Sequence, residues 1–309
     1  MRVGIVGAGG MGTCHAANLA RRADVTIAGV ADPVGAAAAR LAAAHDARVL
    51  TPELMAADTG IDALVVASPD ETHAAIVALA VEAGQAVLCE KPLAHTVAAA
   101  ASLVSAEVAT RRRLVRVGFM RTVDPRHLAV ATRVGEFGPV TRLRCVHRNV
   151  HHTPRPIGTV LIQSVIHDIH TVRWITGAEF STVTVHLAPR GAGFRSVLVV
   201  GELTDGAVAT IEFDDHAPRY EVQVEAVCEG GIVTTDPGPA GDTDWFGWFA
   251  DAYRAEVDEW VDAVTGGSFA GPSCWDGYAA QVVAEACAES LRSGGRVAVV
   301  TGERPDLYR

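Results

Sequence analysis

The chain begins MRVGIVGAGGMG, and the spacing of its glycines limits the possible folds more than any other feature. Gly7, Gly9 and Gly12 fit the pattern G-x-G-x-x-G, with Gly10 and Met11 between them. The loop follows a strand-like run, RVGIVG, and opens a helical pattern over Met11–Arg22. In that setting the first glycine allows a tight turn. The second lets the backbone approach a pyrophosphate, and the third lets helix and strand pack closely. The pyrophosphate then rests on the helix N-terminus. Asp32 lies twenty residues past Gly12, at the end of the second strand-like run. A carboxylate there accepts hydrogen bonds from ribose hydroxyls and repels a 2′-phosphate. No arginine follows at once to welcome one, so the spacing predicts NAD rather than NADP.

The rhythm up to Gly118 is strand, helix, strand, helix. VTIAGVAD, ARVL, IDALVVAS, AVLCE and LVRVGF read as strands. Pro33–His45, Asp70–Ala83 and His95–Arg112 read as helices, the first with Pro33 in its opening turn. Apolar, β-branched strands without alternation predict a doubly wound parallel sheet covered on both faces. After Gly118 the pattern changes. Pro125–Glu136 and Leu161–Thr176 look helical, and Pro139–Asn149 looks like a strand. STVTVHL, RSVLVVGEL, GAVATIEF and YEVQVEAV then follow in series, separated by turn signals such as TDG. Phe246–Val264 and Gly277–Arg292 close the pattern as helices. The expectation is α/β throughout: a Rossmann domain over 1–120, and over 121–309 a second α/β domain with a mostly antiparallel open sheet.

Composition removes several function classes. A net charge of −10 argues against a nucleic-acid footprint. The apolar runs are too short to span a bilayer. The N-terminus lacks the apolar block of a signal peptide. A soluble, cytoplasmic protein is expected. The six cysteines form no C-x-x-C pair, so neither a zinc knuckle nor a redox motif is indicated.

Lys91, in VLCEKPLA, is the only lysine of the chain; every other basic side chain of the Lys+Arg total is arginine. It follows the fifth strand of the first domain, at the carboxyl edge where open parallel sheets bind ligands. Arginine could serve in a surface ion pair there. Lysine differs in being able to lose its proton when desolvated, which points to proton transfer or a tuned substrate contact.

GIVGAGGMG, SPDETH (Ser68–His73) and CEKPLA together resemble the N-terminal domain of the glucose–fructose oxidoreductase/inositol dehydrogenase/MocA family. GFMRTVDP, VHRN, VIHDIHTVRWI, GPSCWDGYAA and the ending RPDLYR extend the likeness, toward inositol 2-dehydrogenases in particular. The resemblance implies hydride transfer between NAD(P) and a secondary alcohol of a sugar or cyclitol. It implies that Lys91 contacts the substrate hydroxyl and the nicotinamide ribose, and that His167 is the proton acceptor. Ser68, Pro69, His73 and Glu90 fall where the family lines its cofactor. Arg121 falls near cofactor and substrate, and His147 and Asn149 near the substrate. A homo-oligomer, tetramer or dimer, is also implied. A polyol is the expected partner, with no nucleic acid and no membrane.

The chain departs from the family at two places. Gln163 stands where an aspartate one turn before His167 is expected, and His170 replaces a second acidic residue. An unbroken helix would put Gln163, His167 and His170 on one face, as a substrate wall. Glutamine can bind a hydroxyl but cannot take a proton. Three readings stay open. Lys91 and His167 suffice, with Asp168 or His170 as relay; the substrate is a different cyclitol, a sugar or an aminosugar; or the chain is an NAD-binding sensor without turnover. A metal held by His167 and His170, with His151 and His152, is the rival for this stretch, and no metal is expected.

Overall fold

The computed structural model describes residues 1–150, 153, 155–190, 193–236, 238 and 244–309. Its chain forms two compact units. The first comprises Met1–Phe119, Tyr253–Tyr278 and Glu303–Arg309; the second comprises Met120–Ala252 and Ala279–Gly302. The division is therefore not a single cut: the chain leaves the first unit after Phe119 and returns to it twice.

The first unit opens with β1 (Arg2–Val6), α1 (Gly10–Leu19), β2 (Thr26–Ala31), α2 (Gly35–Ala44), β3 (Arg48–Val49) and α3 (Pro52–Ala57). It continues with β4 (Ala63–Val66), α4 (Asp70–Glu82), β5 (Ala86–Cys89), α5 (Val97–Thr110) and β6 (Val115–Val117). The six strands pair in parallel in the order β3-β2-β1-β4-β5-β6. The order reverses between β1 and β4, which opens a crevice at their carboxyl ends. Every residue of β4 and β5 is buried, as expected of strands covered on both faces. ARVL forms a strand as expected, though it pairs through only two residues. One short element escaped the sequence pattern: α3, with Thr51 accepting from Leu54 N and Pro52 at its first position, is a single capped turn and a half. Pro33 lies just outside α2, whose first residue is Gly35.

The second unit contains α6 (Pro125–Phe137), β7 (Val140–Val150), α7 (Ile157–Val160), a π-helical turn over Leu161–Val165, and α8 (Ile166–Thr176). Then come β8 (Phe180–Arg190), β9 (Gly193–Leu203), β10 (Val208–Asp214), β11 (His216–Cys228), β12 (Gly231–Thr234) and α9 (Trp245–Trp248). The seven-stranded sheet runs β12-β11-β7-β10-β9-β8-β13, with β13 at Val297–Ala298. Among the described residues only β7 and β10 pair in parallel in this sheet. Burial alternates along β10, so one face meets the core and the other is open. Helix α8 packs on β7 and β10.

Helices α10 (Ala250–Gly266) and α11 (Cys274–Ser293) each run from one unit into the other. In the first unit Val257, Trp260 and Val261 of α10 are fully buried against Leu19, Val30 and Leu88. Their i, i+3, i+4 spacing makes one apolar stripe. No helix among the described residues is long and apolar enough to cross a membrane.

Candidate active site

The glycine loop has the geometry a dinucleotide needs. Gly7 has φ +104°, and a Cβ there would lie 2.3 Å from the Ala67 carbonyl oxygen. A Cβ on Gly12 would lie 1.8 Å from the Gly7 carbonyl oxygen. Gly9 differs: among the described residues nothing lies within 4 Å of the place its Cβ would take. The first two glycines are required by the fold, whereas the space beside Gly9 is left open for a ligand. No side chain caps α1 at Gly9, so no protein carboxylate or hydroxyl takes the place of an anion at its N-terminus. The loop fits NAD on these grounds.

Asp32 holds this loop. Its Oδ2 accepts from Ala8 N at 2.7 Å and its Oδ1 from Val34 N at 2.8 Å. Each oxygen keeps a second lone pair for a ribose hydroxyl.

At the ends of β4 and β5 the residues are stitched to one another. Ser68 donates from its hydroxyl to Thr72 Oγ1 (2.6 Å), and Thr72 donates on to the Pro69 carbonyl (2.7 Å). His73 is buried, and its two ring nitrogens face the carbonyls of Pro92 (2.7 Å) and Ser68 (2.8 Å). It joins the turn after β4 to the turn after β5. Lys91 is half-buried and enters a cis peptide bond with Pro92. Its backbone N–H donates to Glu90 Oε2 at 3.3 Å. Glu90, expected to line the cofactor, is tied to α1. It is 7% exposed, and its Oε1 is 2.8 Å from His15 Nε2 on α1. Gly118 leaves room for it; a Cβ there would come within 3.2 Å of the carboxylate. Glu256 of α10, which the sequence did not single out, joins His15 and Glu90 in a buried cluster whose ligating atoms lie within 4.8 Å of one another.

The second unit carries the other candidates. Arg121 lies in a 3-10 turn, Met120–Val123, and is 1% exposed. Its Nη1 donates to Asp168 Oδ1 at 2.5 Å, and its Nη2 lies 3.3 Å from His147 Nδ1. Arg121, expected near cofactor and substrate, thus has its guanidinium ion-paired with Asp168. His147 is likewise bound, its Nδ1 2.8 Å from Asp168 Oδ2 and its ring hydrogen-bonded to Asn149. It packs edge-on against Phe213 and Tyr220. His147 and Asn149 alternate along β7 and share the buried side of the sheet. Burial alone would raise the Asp168 carboxyl. The Arg121 and His147 groups beside it prevail and bring it down to about 2. Burial, and the neighbouring Arg121, push the His147 imidazole down despite Asp168. A carboxylate so held stays ionised and paired at neutral pH.

His167 and His170 stand on α8, 8% and 3% exposed. The helical face expected from Gln163 onward is interrupted. Gln163 lies in the π turn, where hydrogen bonds reach one residue further than in an α-helix. Gln163 is therefore not one ordinary α turn before His167. It is half-buried. His151 and His152 lie outside the described residues.

A parallel sheet in the order 3-2-1-4-5-6 with an open glycine loop and a carboxylate on that loop define an NAD-binding oxidoreductase of Rossmann type. The comparisons agree. Residues 1–119 match the model of an oxidoreductase family with an NAD-binding Rossmann fold, and residues 126–234 and 219–299 match C-terminal domain models of the same family. The chain belongs to the GFO/IDH/MocA oxidoreductase family. Among its relatives, an inositol 2-dehydrogenase of Streptomyces avermitilis is 38% identical, covering 99% of this chain and 96% of its own. One from Rubrobacter xylanophilus is 40% identical, covering 99% and 95%. The crystal structure of myo-inositol dehydrogenase from Lactobacillus casei, in complex with NAD(H) and myo-inositol, superposes with a TM-score of 0.94. It is 26% identical and covers 100% of this chain and 99% of its own.

Proposed function

We propose that the chain oxidises a secondary hydroxyl of an inositol-like cyclitol to a ketone, with NAD as hydride acceptor. The observation that carries this reading is likeness to inositol 2-dehydrogenases over essentially the whole chain. NAD, when bound, supplies the hydride acceptor at nicotinamide C4. Gly7, Gly9, Gly10, Met11 and Gly12 hold its pyrophosphate, Asp32 its adenosine ribose, and Ser68 and Pro69 lie beside it. Lys91 donates a hydrogen bond to the reacting oxygen and steadies negative charge as it develops there. His167 takes the hydroxyl proton. His170, Gln163 and Asn149 recognise the remaining hydroxyls. The protein works in the cytoplasm as a homo-oligomer, a dimer or tetramer.

A second reading is favoured by one feature. Gln163, in place of a carboxylate and on a π turn, recognises hydroxyls without accepting protons. It fits a sugar or aminosugar substrate in place of myo-inositol.

The test is NADH formation by the purified protein on myo-, scyllo- and chiro-inositol, common sugars and aminosugars, with NAD and NADP in parallel. Turnover of an inositol with NAD is the expected result. Turnover confined to sugars would make Gln163 and His170 determinants of a different specificity. Tight NAD binding with no turnover of any polyol would make the chain a sensor and end the reading. Full turnover by Lys91→Arg would remove the titrating amine from the mechanism.

A further inference from the structure

The first unit contains a buried polar cluster that the reaction above does not use. His15, Glu90 and Glu256 come from α1, the turn after β5, and α10. All three are buried, at 0%, 7% and 0% exposure. His15 and Glu90 are hydrogen-bonded to each other. Among the described residues neither oxygen of Glu256 has a hydrogen-bond partner, and His15 Nδ1 has none either. A buried carboxylate with no donor is costly, so its presence demands a reason. Position offers one. Glu256 precedes Val257 on the stripe that anchors α10 to the sheet, so packing forces it inward. The Glu90 carboxylate that it faces receives the backbone N–H of Lys91.

We propose that Glu256 and His15 are positioning residues for Lys91, acting through Glu90. The inference rests on the reading of Lys91 as the amine that meets the substrate. The cluster holds two carboxylates and one imidazole. With Glu256 protonated, Glu90 and His15 form a balanced pair, and Glu90 keeps its hold on the Lys91 turn. With Glu256 ionised, two buried negative charges repel, and Glu90 loosens its contact. The charges facing Glu256 are Arg116 of β6, Glu90, His15 and, on its own helix, Glu259. Arg116 is already ion-paired with Glu259 at 2.6 Å, so it offsets the charge of Glu256 only in part. Lys91 and His73 face Glu90 together with His15. Burial, only partly opposed by Arg116, pushes the Glu256 carboxyl up to about 7. Burial disfavours His15 as a cation, but Glu90 outweighs it and the imidazole is raised.

The only lysine of the chain gives a clean probe. Reductive methylation of Lys91, resolved from the Met1 amine by peptide mass spectrometry, would be followed on the full chain between about pH 6 and pH 9. In the native protein the rate should follow two steps, that of the amine and a second near neutrality. In Glu256→Gln, which keeps the volume and stays uncharged, the second step should vanish, changing the rate about threefold or more on the alkaline side. His15→Gln should alter the profile in the same region. A one-step profile in the native protein, identical in Glu256→Gln, overturns the proposal, and needs no turnover to be read. The kcat ratio of Glu256→Gln to native on myo-inositol should drift across the same range with the KM for NAD unchanged; a ratio constant with pH would reduce Glu256 to a packing role. Silence on every cyclitol with the two-step profile intact would sink the proposed substrate and leave this inference standing. Retention of one equivalent of zinc by the desalted protein, lost in Glu256→Gln, would make the three groups metal ligands and also overturn it.

Discussion

Each unit buries a polar cluster built of histidine and carboxylate, and the two clusters behave oppositely. In the second unit Asp168 lies between Arg121 and His147, with both oxygens hydrogen-bonded. In the first, Glu256 faces another carboxylate and receives no hydrogen bond among the described residues. Burial raises the cost of charge at both places. The difference is one cation. Arg121 spends its charge on Asp168, whereas Arg116, the arginine that acts on Glu256, is ion-paired with Glu259. The Asp168 carboxylate keeps its charge down to strong acid, whereas the Glu256 carboxyl is poised to change near neutrality. Burial alone therefore says little about whether a carboxylate titrates; the accounting of counter-charges decides.

Four measurements bear on that contrast, given in order of expected size. If the fixed cluster supports chemistry that His167 performs, His167→Ala should lower kcat by about 10²–10⁴-fold while the protein still folds. Steady-state kinetics beside a circular dichroism spectrum would check this. Next, Asp168→Ala strands Arg121 as a buried lone charge and should cost about 3–5 kcal/mol in urea unfolding. An undiminished midpoint would mean that water, not Asp168, satisfies Arg121.

The third measurement sets the two clusters against each other by pH. The folded Asp168 carboxyl is lowered to about 2. Its stabilising contribution, about 2–3 kcal/mol, is complete above the unfolded value and is lost as pH falls toward 2. The folded Glu256 carboxyl is raised to about 7. Its effect has the opposite sign: stability is fullest below the unfolded value and declines by roughly 3 kcal/mol as pH rises to about 7. Glu256→Gln should abolish that neutral-range slope and leave the acid limb untouched. Chemical denaturation at a series of pH values reads both. The fourth concerns the glycine loop. Gly9→Ala has open space for its methyl group and should keep the melting temperature while raising the Kd for NAD about tenfold or more. Gly12→Ala meets the Gly7 carbonyl at 1.8 Å and should not fold normally. Equal melting losses for the two would show that Gly9 serves the fold as well.

The sheet of the first unit was readable because its strands are apolar without alternation and its loop glycines sit between a strand and a helix. The series of long strands in the second unit was readable from alternation and turn residues. Short elements were not: β12 and β13 are edge pairings of few residues whose existence depends on the neighbouring strand. The π turn was hidden because a shift in backbone hydrogen bonding leaves the apolar periodicity of Leu161–Thr176 largely intact. Lys91 stood out by rarity. Glu256 did not, since it shares its helix with Asp251, Asp258, Glu259 and Asp262. Only packing shows which acid faces inward. The Arg121–Asp168–His147 contacts join residues far apart in sequence, and no local pattern marks such a meeting.

The interleaving of the chain has a consequence for biosynthesis. In the first unit the Tyr308 hydroxyl donates to buried Glu107 across 201 residues of sequence, and Glu107 in turn receives the N–H groups of Leu114 and Val115 at the start of β6. Trp260 and its neighbours on α10, which complete the core of that unit, also arrive late. A ribosome adding about 5–20 residues per second needs roughly 10–40 s to cross that interval. For most of that time the nascent cofactor sheet is exposed on the side that α10 will cover. The first part of the chain to be made is among the last to be finished, so its yield in the cell depends on what shelters it while translation proceeds.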